Sequence, residues 1–138
     1  MTGKETVQVA AGIISHQGKY LIAKRRAGTH LAGLWEFPGG KRESGESLEE
    51  CLRRELREEL GIQIGSTTPF RVVRHEYPDK RVEIYFFFCS GHQGQPRALG
   101  CDEIQWVGPN DFHNYEFPPA DEPLLQILKG PKRKTDGA

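Results

Sequence analysis

The alternation of apolar and polar positions divides the chain into short strands and two helices. Residues 7–14 (VQVAAGII) and 19–25 (KYLIAKR) read as strands around the turn SHQG. Residues 34–40 (LWEFPGG) form a short strand stopped by Pro38, Gly39 and Gly40, and a polar loop, KRESGES, follows. Leu52, Leu56 and Leu60 recur at helical spacing. Ser47 with Glu50 three residues on is a capping-box pattern, which predicts a helix from Leu48 to about Leu60 with Gly61 as its stop. Residues 69–77 (PFRVVRHEY) and 81–90 (RVEIYFFFCS) read as strands around PDK, the second apolar on both faces as a central strand should be. EIQWV, 103–107, is another strand, and DEPLLQILK, 121–129, a final helix with Pro123 tolerated in its first turn. The class is α/β or α+β, a mixed sheet between helices.

The 138 residues fit one domain, expected over 1–130, with a frayed polar tail over 131–138. Acidic and basic side chains balance at 19 each, so net charge gives no case for a nucleic-acid polymer or an anionic membrane as partner. The N-terminus has no leader pattern and no segment approaches the roughly 20 apolar residues of a membrane helix. A soluble, cytoplasmic protein is the simplest expectation, a monomer by default. Cys51, Cys89 and Cys101 are an odd count and read as reduced thiols.

The predicted helix carries an anomaly. Glu49 and Glu50 stand four residues before Arg53 and Arg54, and Arg54 four before Glu58, so ordinary ion pairs account for these acids. Glu55 and Glu59 have no cation at helical spacing. At 100° per residue, Glu55, Glu58 and Glu59 fall within one arc of about 100°. Each like-charge pair costs about 0.2–0.5 kcal/mol, and Glu59 faces the negative end of the helix dipole. A hard divalent cation would remove the conflict, and such sites usually serve phosphate substrates.

From Gly40 the chain reads GKRESGESLEECLRRELREELGI: glycine, five residues, Glu46, seven residues, Arg54-Glu55-Leu56, one residue, Glu58-Glu59, one residue, Gly61-Ile62. This resembles the Nudix box, with every specified position of the 23-residue pattern filled. GIISHQGKYLIAKRRAGTHLAGLWEFPGGK and FPPADEP extend the resemblance to the MutT-type branch, which cleanses nucleoside triphosphate pools in support of faithful DNA replication and repair.

The resemblance implies a Nudix fold and Mg²⁺, with Mn²⁺ as a substitute. It implies that Glu55, Glu58 and Glu59 hold the metal with the carbonyl of Gly39, that Arg54 orients a box glutamate, and that Glu46 braces the loop. Glu103 matches a further glutamate proposed as metal ligand or general base, with Asp102 adjacent as the alternative register. The base is Glu103 or a box glutamate. Arg26 would face the phosphates, with Arg25 replacing it if the alignment slips. His30 and Glu36, Phe37, Pro38 and Gly39 would line the nucleotide pocket, unless His30 is an ordinary loop residue and Phe37 core. Attack at the β-phosphorus would give a nucleoside monophosphate and pyrophosphate.

The base is left open. Asp121 stands where the 8-oxoguanine-specific pattern has asparagine, and Lys80 where it suggests arginine. An ionised carboxylate only accepts hydrogen bonds, whereas a protonated one also donates. Asp121 is alternatively a helix cap before EPLLQIL. The expected substrate is 8-oxo-dGTP. The alternatives are CTP, 5-methyl-dCTP or broad nucleoside triphosphate hydrolysis, then ADP-ribose-like compounds, and last a non-catalytic Nudix-fold binding module.

Overall fold

The computed structural model describes residues 4–29 and 31–130. The expected tail over 131–138 and His30 lie outside the described residues.

Strand β1 (Glu5–His16) organises the sheet. The next strands are β2 (Lys19–Lys24), β3 (Trp35–Glu36) and β4 (Gly39–Lys41). Helix α1 (Leu48–Leu60) separates them from β5 (Gln63–Glu76), β6 (Lys80–Gln93) and β7 (Glu103–Val107). Helix α2 (Glu122–Lys129) ends the described chain.

β1 runs parallel to β6 in register from Glu5↔Lys80 to Ile14↔Cys89. Its other edge takes β4 antiparallel, from Val9↔Lys41 to Ala11↔Gly39, and its far end pairs with β2. β5 lies outside β6, while β3 and β7 flank β2.

The sheet is covered on both faces, because its central strands are apolar on both. Leu52, Leu56 and Leu60 of α1 pack on one face against Ala10, Ile14, Leu21, Phe87 and Cys89. On the other, Ala11, Ile13, Ile22 and Phe86 pack against Phe112 of a 3-10 helix (Pro109–Asn114) and Leu124 and Leu125 of α2. This is the expected mixed sheet between helices. The three cysteines are free and buried, and burial pushes their thiols up, to about 11 for Cys51 and Cys101 and about 12 for Cys89. No described helix is long and apolar enough to cross a membrane.

Two boundaries differ from the expectation: Gly39 and Gly40, expected to stop a strand, pair with β1 as β4, and β5 begins early. β5 starts at Gln63, directly after α1, rather than near Pro69. Its leading residues are polar because it is an edge strand with largely exposed side chains, so hydrophobic alternation could not report it. A register shift between Pro69 and Arg71 marks where it bends, consistent with proline on a sheet edge.

Candidate active site

Both ends of α1 are pinned. Ser47 Oγ accepts from the Glu50 amide at 3.0 Å while Glu50 Oε1 accepts from the Ser47 amide at 2.8 Å, closing the capping box as expected. At the other end Gly61 adopts the left-handed conformation at φ 73°. The carbonyls a helix end leaves unpaired are met from a distant segment. Arg97 N–H donates to Leu60, and the Leu99 and Gly100 amides both donate to Glu59, each at 3.0 Å.

Arg54 organises the box. Its Nε and Nη2 donate to the two oxygens of Glu46 at 3.0 and 2.7 Å, and Nη2 also reaches the Lys41 carbonyl at 3.0 Å. Nη1 lies 3.1 Å from Glu55 and 3.2 Å from Glu58. The fork holds the Glu46 carboxyl down to about 2, helped by the Glu43 amide.

Glu55 therefore does have a cation, contrary to the reading from helical spacing. The guanidinium folds back onto the adjacent residue, which the three-and-four rule does not count. The expected pairs of Glu49 with Arg53 and Glu50 with Arg54 are replaced. Arg53 instead clamps the Ile64 and Gly65 carbonyls, Thr67 donates to Glu49, and Glu50 caps the helix.

Glu59 remains as anticipated. Its Oε1 is buried and has no hydrogen-bond partner among the described residues. Burial, then Glu36 and Glu55, push its carboxyl up to about 8, against the pull of Arg25 and the Gly39 amide. Burial also raises Glu55, with Arg54 opposing. A Cβ on Gly40 would overlap the Glu55 carboxylate, so only glycine lets that carboxylate lie against β4.

Glu55 and Glu59 face a cavity of about 530 Å³. Glu58 turns outward with its side chain 59% exposed, and among the described residues no three acidic, His or Cys side chains close around a single point. A lone buried carboxylate oxygen beside a second carboxylate and the Gly39 backbone fits a hard cation that keeps most of its waters.

The cavity wall carries charged, glycine and apolar residues. Arg25, Arg26, Gly39, Gly40 and Lys41 line it near the glutamates, with Gly100 beside Glu59. Val7, Val9, Val82, Ile84, Tyr77 and Asp121 line the rest. Arg25 is the more deeply placed of the two arginines. Its Nη1 is 2.8 Å from Glu36, with both side chains largely covered. Arg26 is more exposed, and its Nη2 reaches the Leu99 carbonyl at 3.2 Å. Both line the cavity, so the alternative between them survives.

Phe37 is at once core and wall, 3% exposed with rings of Phe86, Phe112 and Phe117 around it. Pro38 is fully buried behind the wall, its carbonyl held by Gly12 N–H at 2.8 Å. Lys80 lines the cavity with its ammonium 5.9 Å from the Tyr77 ring centre. Glu103 is exposed at the start of β7, bonded by the Gln105 amide at 2.8 Å, and is not part of the cavity wall. Asp102 accepts from Ala27 N–H at 3.1 Å, a loop brace.

The sequence matches the NUDIX domain over residues 9–126. The chain belongs to the Nudix family. It is 35% identical over 124 residues to the 8-oxo-dGTP diphosphatase of Escherichia coli K12, covering 89% of this chain and 96% of that one. It is 38% identical over 124 residues to the CTP pyrophosphohydrolase of the same strain, covering 88% and 90%. A solved structure of MutT, from work on Aliivibrio salmonicida and Vibrio cholerae, superposes with TM-score 0.76 at 33% identity, over 90% of this chain and 97% of that one.

Within this Nudix fold, sequence reasoning missed Tyr77 and His75, whose rings meet edge-on at 4.6 Å in the cavity wall. It also missed Gly100 and Cys101, which reach the wall from the irregular segment before β7. An aromatic residue at each end of the HEY run was the available signal.

Asp121 occupies the N-cap position of α2 but makes no capping hydrogen bond. It is 4% exposed, and burial, then Glu36, push its carboxyl up to about 7. The folded state therefore keeps a proton that the unfolded chain releases above its ordinary 3.8, and stability drains as pH rises from there to about 7. Glu55 and Glu59 slope the same way, so the comparison must be with a variant. Asp121→Asn should match the wild type near pH 4 and exceed it at pH 8 by on the order of 2–4 kcal/mol in metal-free buffer. Denaturant unfolding at both pH values checks this, and an equal difference at both would place a solvated carboxylate there.

Proposed function

We propose that this Nudix protein is a divalent-metal-dependent nucleoside triphosphate pyrophosphohydrolase of the pool-cleansing kind. Its reaction is 8-oxo-dGTP plus water to 8-oxo-dGMP and pyrophosphate. The observation that carries the chemistry is the buried Glu59 Oε1, without a partner among the described residues, beside Glu55 in the wall of a nucleotide-sized cavity. The substrate rests on the likeness to the 8-oxo-dGTP diphosphatase.

In this reading Glu55, Glu59 and the Gly39 carbonyl hold Mg²⁺, or Mn²⁺ in its place, with Glu58 completing the acidic set. The bound metal would neutralise phosphate charge and lower the barrier to water attack. Arg54 holds Glu55 against the cavity and tethers the outward-turned Glu58 at its rim. Arg25, Arg26 and Lys41 attract the triphosphate toward the glutamates. A carboxylate accepts the proton of the attacking water, and the position of Glu103 outside the cavity wall favours a box glutamate in that role. Phe37 and Tyr77 shape the base pocket, with Lys80 at Tyr77. Asp121, neutral up to about pH 7, both donates and accepts toward the base. The enzyme acts as a cytoplasmic monomer on a small molecule.

A cytidine nucleotide is the second reading, favoured by the acid at position 121 and the likeness to the CTP pyrophosphohydrolase. The test is kcat/KM with Mg²⁺ for 8-oxo-dGTP, dGTP, CTP and 5-methyl-dCTP, read as monophosphate and pyrophosphate, and for ADP-ribose, read as AMP and ribose 5-phosphate. A clear preference for 8-oxo-dGTP over dGTP supports the first reading. A cytidine preference replaces it with the second. No turnover of any nucleotide returns the chain to a binding module.

A further inference from the structure

We propose that Gln8 and Arg42 are positioning residues for this hydrolysis, fixing the Nudix-box loop from the side opposite Arg54. The proposal rests on the reading above for its kinetic part only.

The loop between β4 and α1 is exposed over residues 42–45, so packing does not hold it. Arg54 grips it from the helix through Lys41 and Glu46. Arg42 grips it from the sheet. Its Nη1 donates to the Glu46 carbonyl at 2.9 Å and its Nε to Gln8 Oε1 at 2.8 Å, while its backbone N–H donates to the Gln8 carbonyl at 2.8 Å. A guanidinium can bridge two acceptors in this way and an ammonium cannot do so with fixed geometry.

Gln8 is itself oriented. Its amide nitrogen donates to Glu83 Oε1 at 3.3 Å and lies 3.4 Å from the Tyr85 hydroxyl, so its oxygen is left facing Arg42. Glu83 sits directly opposite Gln8 in the parallel β1–β6 register. It also takes the Tyr85 hydroxyl at 3.0 Å and Arg74 at 3.2 Å, and these donors, Gln8 foremost, hold its carboxyl below the usual range.

A continuous run of hydrogen bonds thus leads from β6 through Gln8 and Arg42 to the Glu46 backbone. The Glu46 carboxylate passes it to Arg54, and Arg54 to Glu55 and Glu58. Neither Gln8 nor Arg42 lines the cavity, and Arg42 stands at an unspecified position of the box pattern. Their influence reaches the reaction only by setting where Glu46 holds Arg54.

The experiment compares wild type, Gln8→Ala, Arg42→Ala, Arg42→Lys and the double Ala variant. The first readout is amide hydrogen exchange across residues 41–47 in metal-free protein. The second is kcat and KM on the best nucleotide. Arg42→Ala is expected to speed exchange at Glu43 and Glu46 and to lower kcat about fivefold to twentyfold with KM within about twofold. Arg42→Lys should recover only part of this. The double variant should be no worse than Arg42→Ala, because both act through one chain. Losses that multiply, an unchanged kcat, or unchanged loop exchange would overturn the proposal. If the wild type turns over no nucleotide, the functional reading fails and the exchange data still decide the positioning chain.

Discussion

Glu59→Gln should lower kcat/KM about a thousandfold and, in the same protein, raise stability in metal-free buffer. The two effects have one cause. Glu59 Oε1 is buried without a partner among the described residues, and its carboxyl is pushed up to about 8, so the folded apo protein works against ionising it. The amide keeps the shape and removes the charge. Above pH 8 the wild type carries the full cost of that buried anion, and the variant should unfold on the order of 5–15 °C higher. The metal-dependent step loses a ligand that an uncharged amide replaces poorly. Thermal unfolding in EDTA and steady-state kinetics with Mg²⁺ give the two numbers. Near-normal turnover would remove Glu59 from the metal set. A lower Tm in EDTA would mean the carboxylate is solvated after all.

Arg54→Lys should cost about a hundredfold in kcat with a modest change in KM. Charge is conserved by this substitution, so a purely electrostatic role for Arg54 predicts little loss. The geometry predicts otherwise. Three nitrogens of one planar group contact Glu46, the Lys41 carbonyl, Glu55 and Glu58 at 2.7–3.2 Å. A single ammonium cannot satisfy all four, and the longest contacts, to the box glutamates, are the ones to be lost. The Glu46 carboxyl should then drift up from about 2 toward its ordinary value. Carbon-detected titration of the Glu46 carboxyl, alongside kinetics, separates this from general unfolding. A lysine variant with wild-type kcat would make Arg54 a structural staple only.

The box was the most legible part of the chain because it is local. Its cap, its leucine stripe and its stop are all specified within residues 47–61, and each appears in the structure as expected. The acid excess was legible too, though the assignment of partners was not. Helical spacing sees contacts along the axis and is blind to Arg54 folding back on Glu55 or to Arg53 reaching across to β5. The cavity wall away from the box was least legible. Tyr77 comes from the turn before β6, Val82 from β6, Val7 from β1 and Asp121 from the start of α2, and only the β1–β6 pairing and the approach of α2 bring them together. Asp121 shows the limit most clearly. Sequence offered a helix cap or a base contact almost evenly, and the structure shows a buried carboxylate at the cap position that makes no capping bond.

The segment that closes the end of α1 also says when during synthesis the site becomes whole. Donors to the Glu59 and Leu60 carbonyls come from Arg97, Leu99 and Gly100, which are made only after β5 and β6. A growing chain that has released α1 from the ribosome still has its last turn open to fraying, with Glu59 in it. The cap of the same helix, by contrast, is complete as soon as Glu50 has emerged. The Glu59 end of the box is therefore finished late, after β6 is made, and a chain stalled before that point holds the whole signature in sequence without the closed helix end.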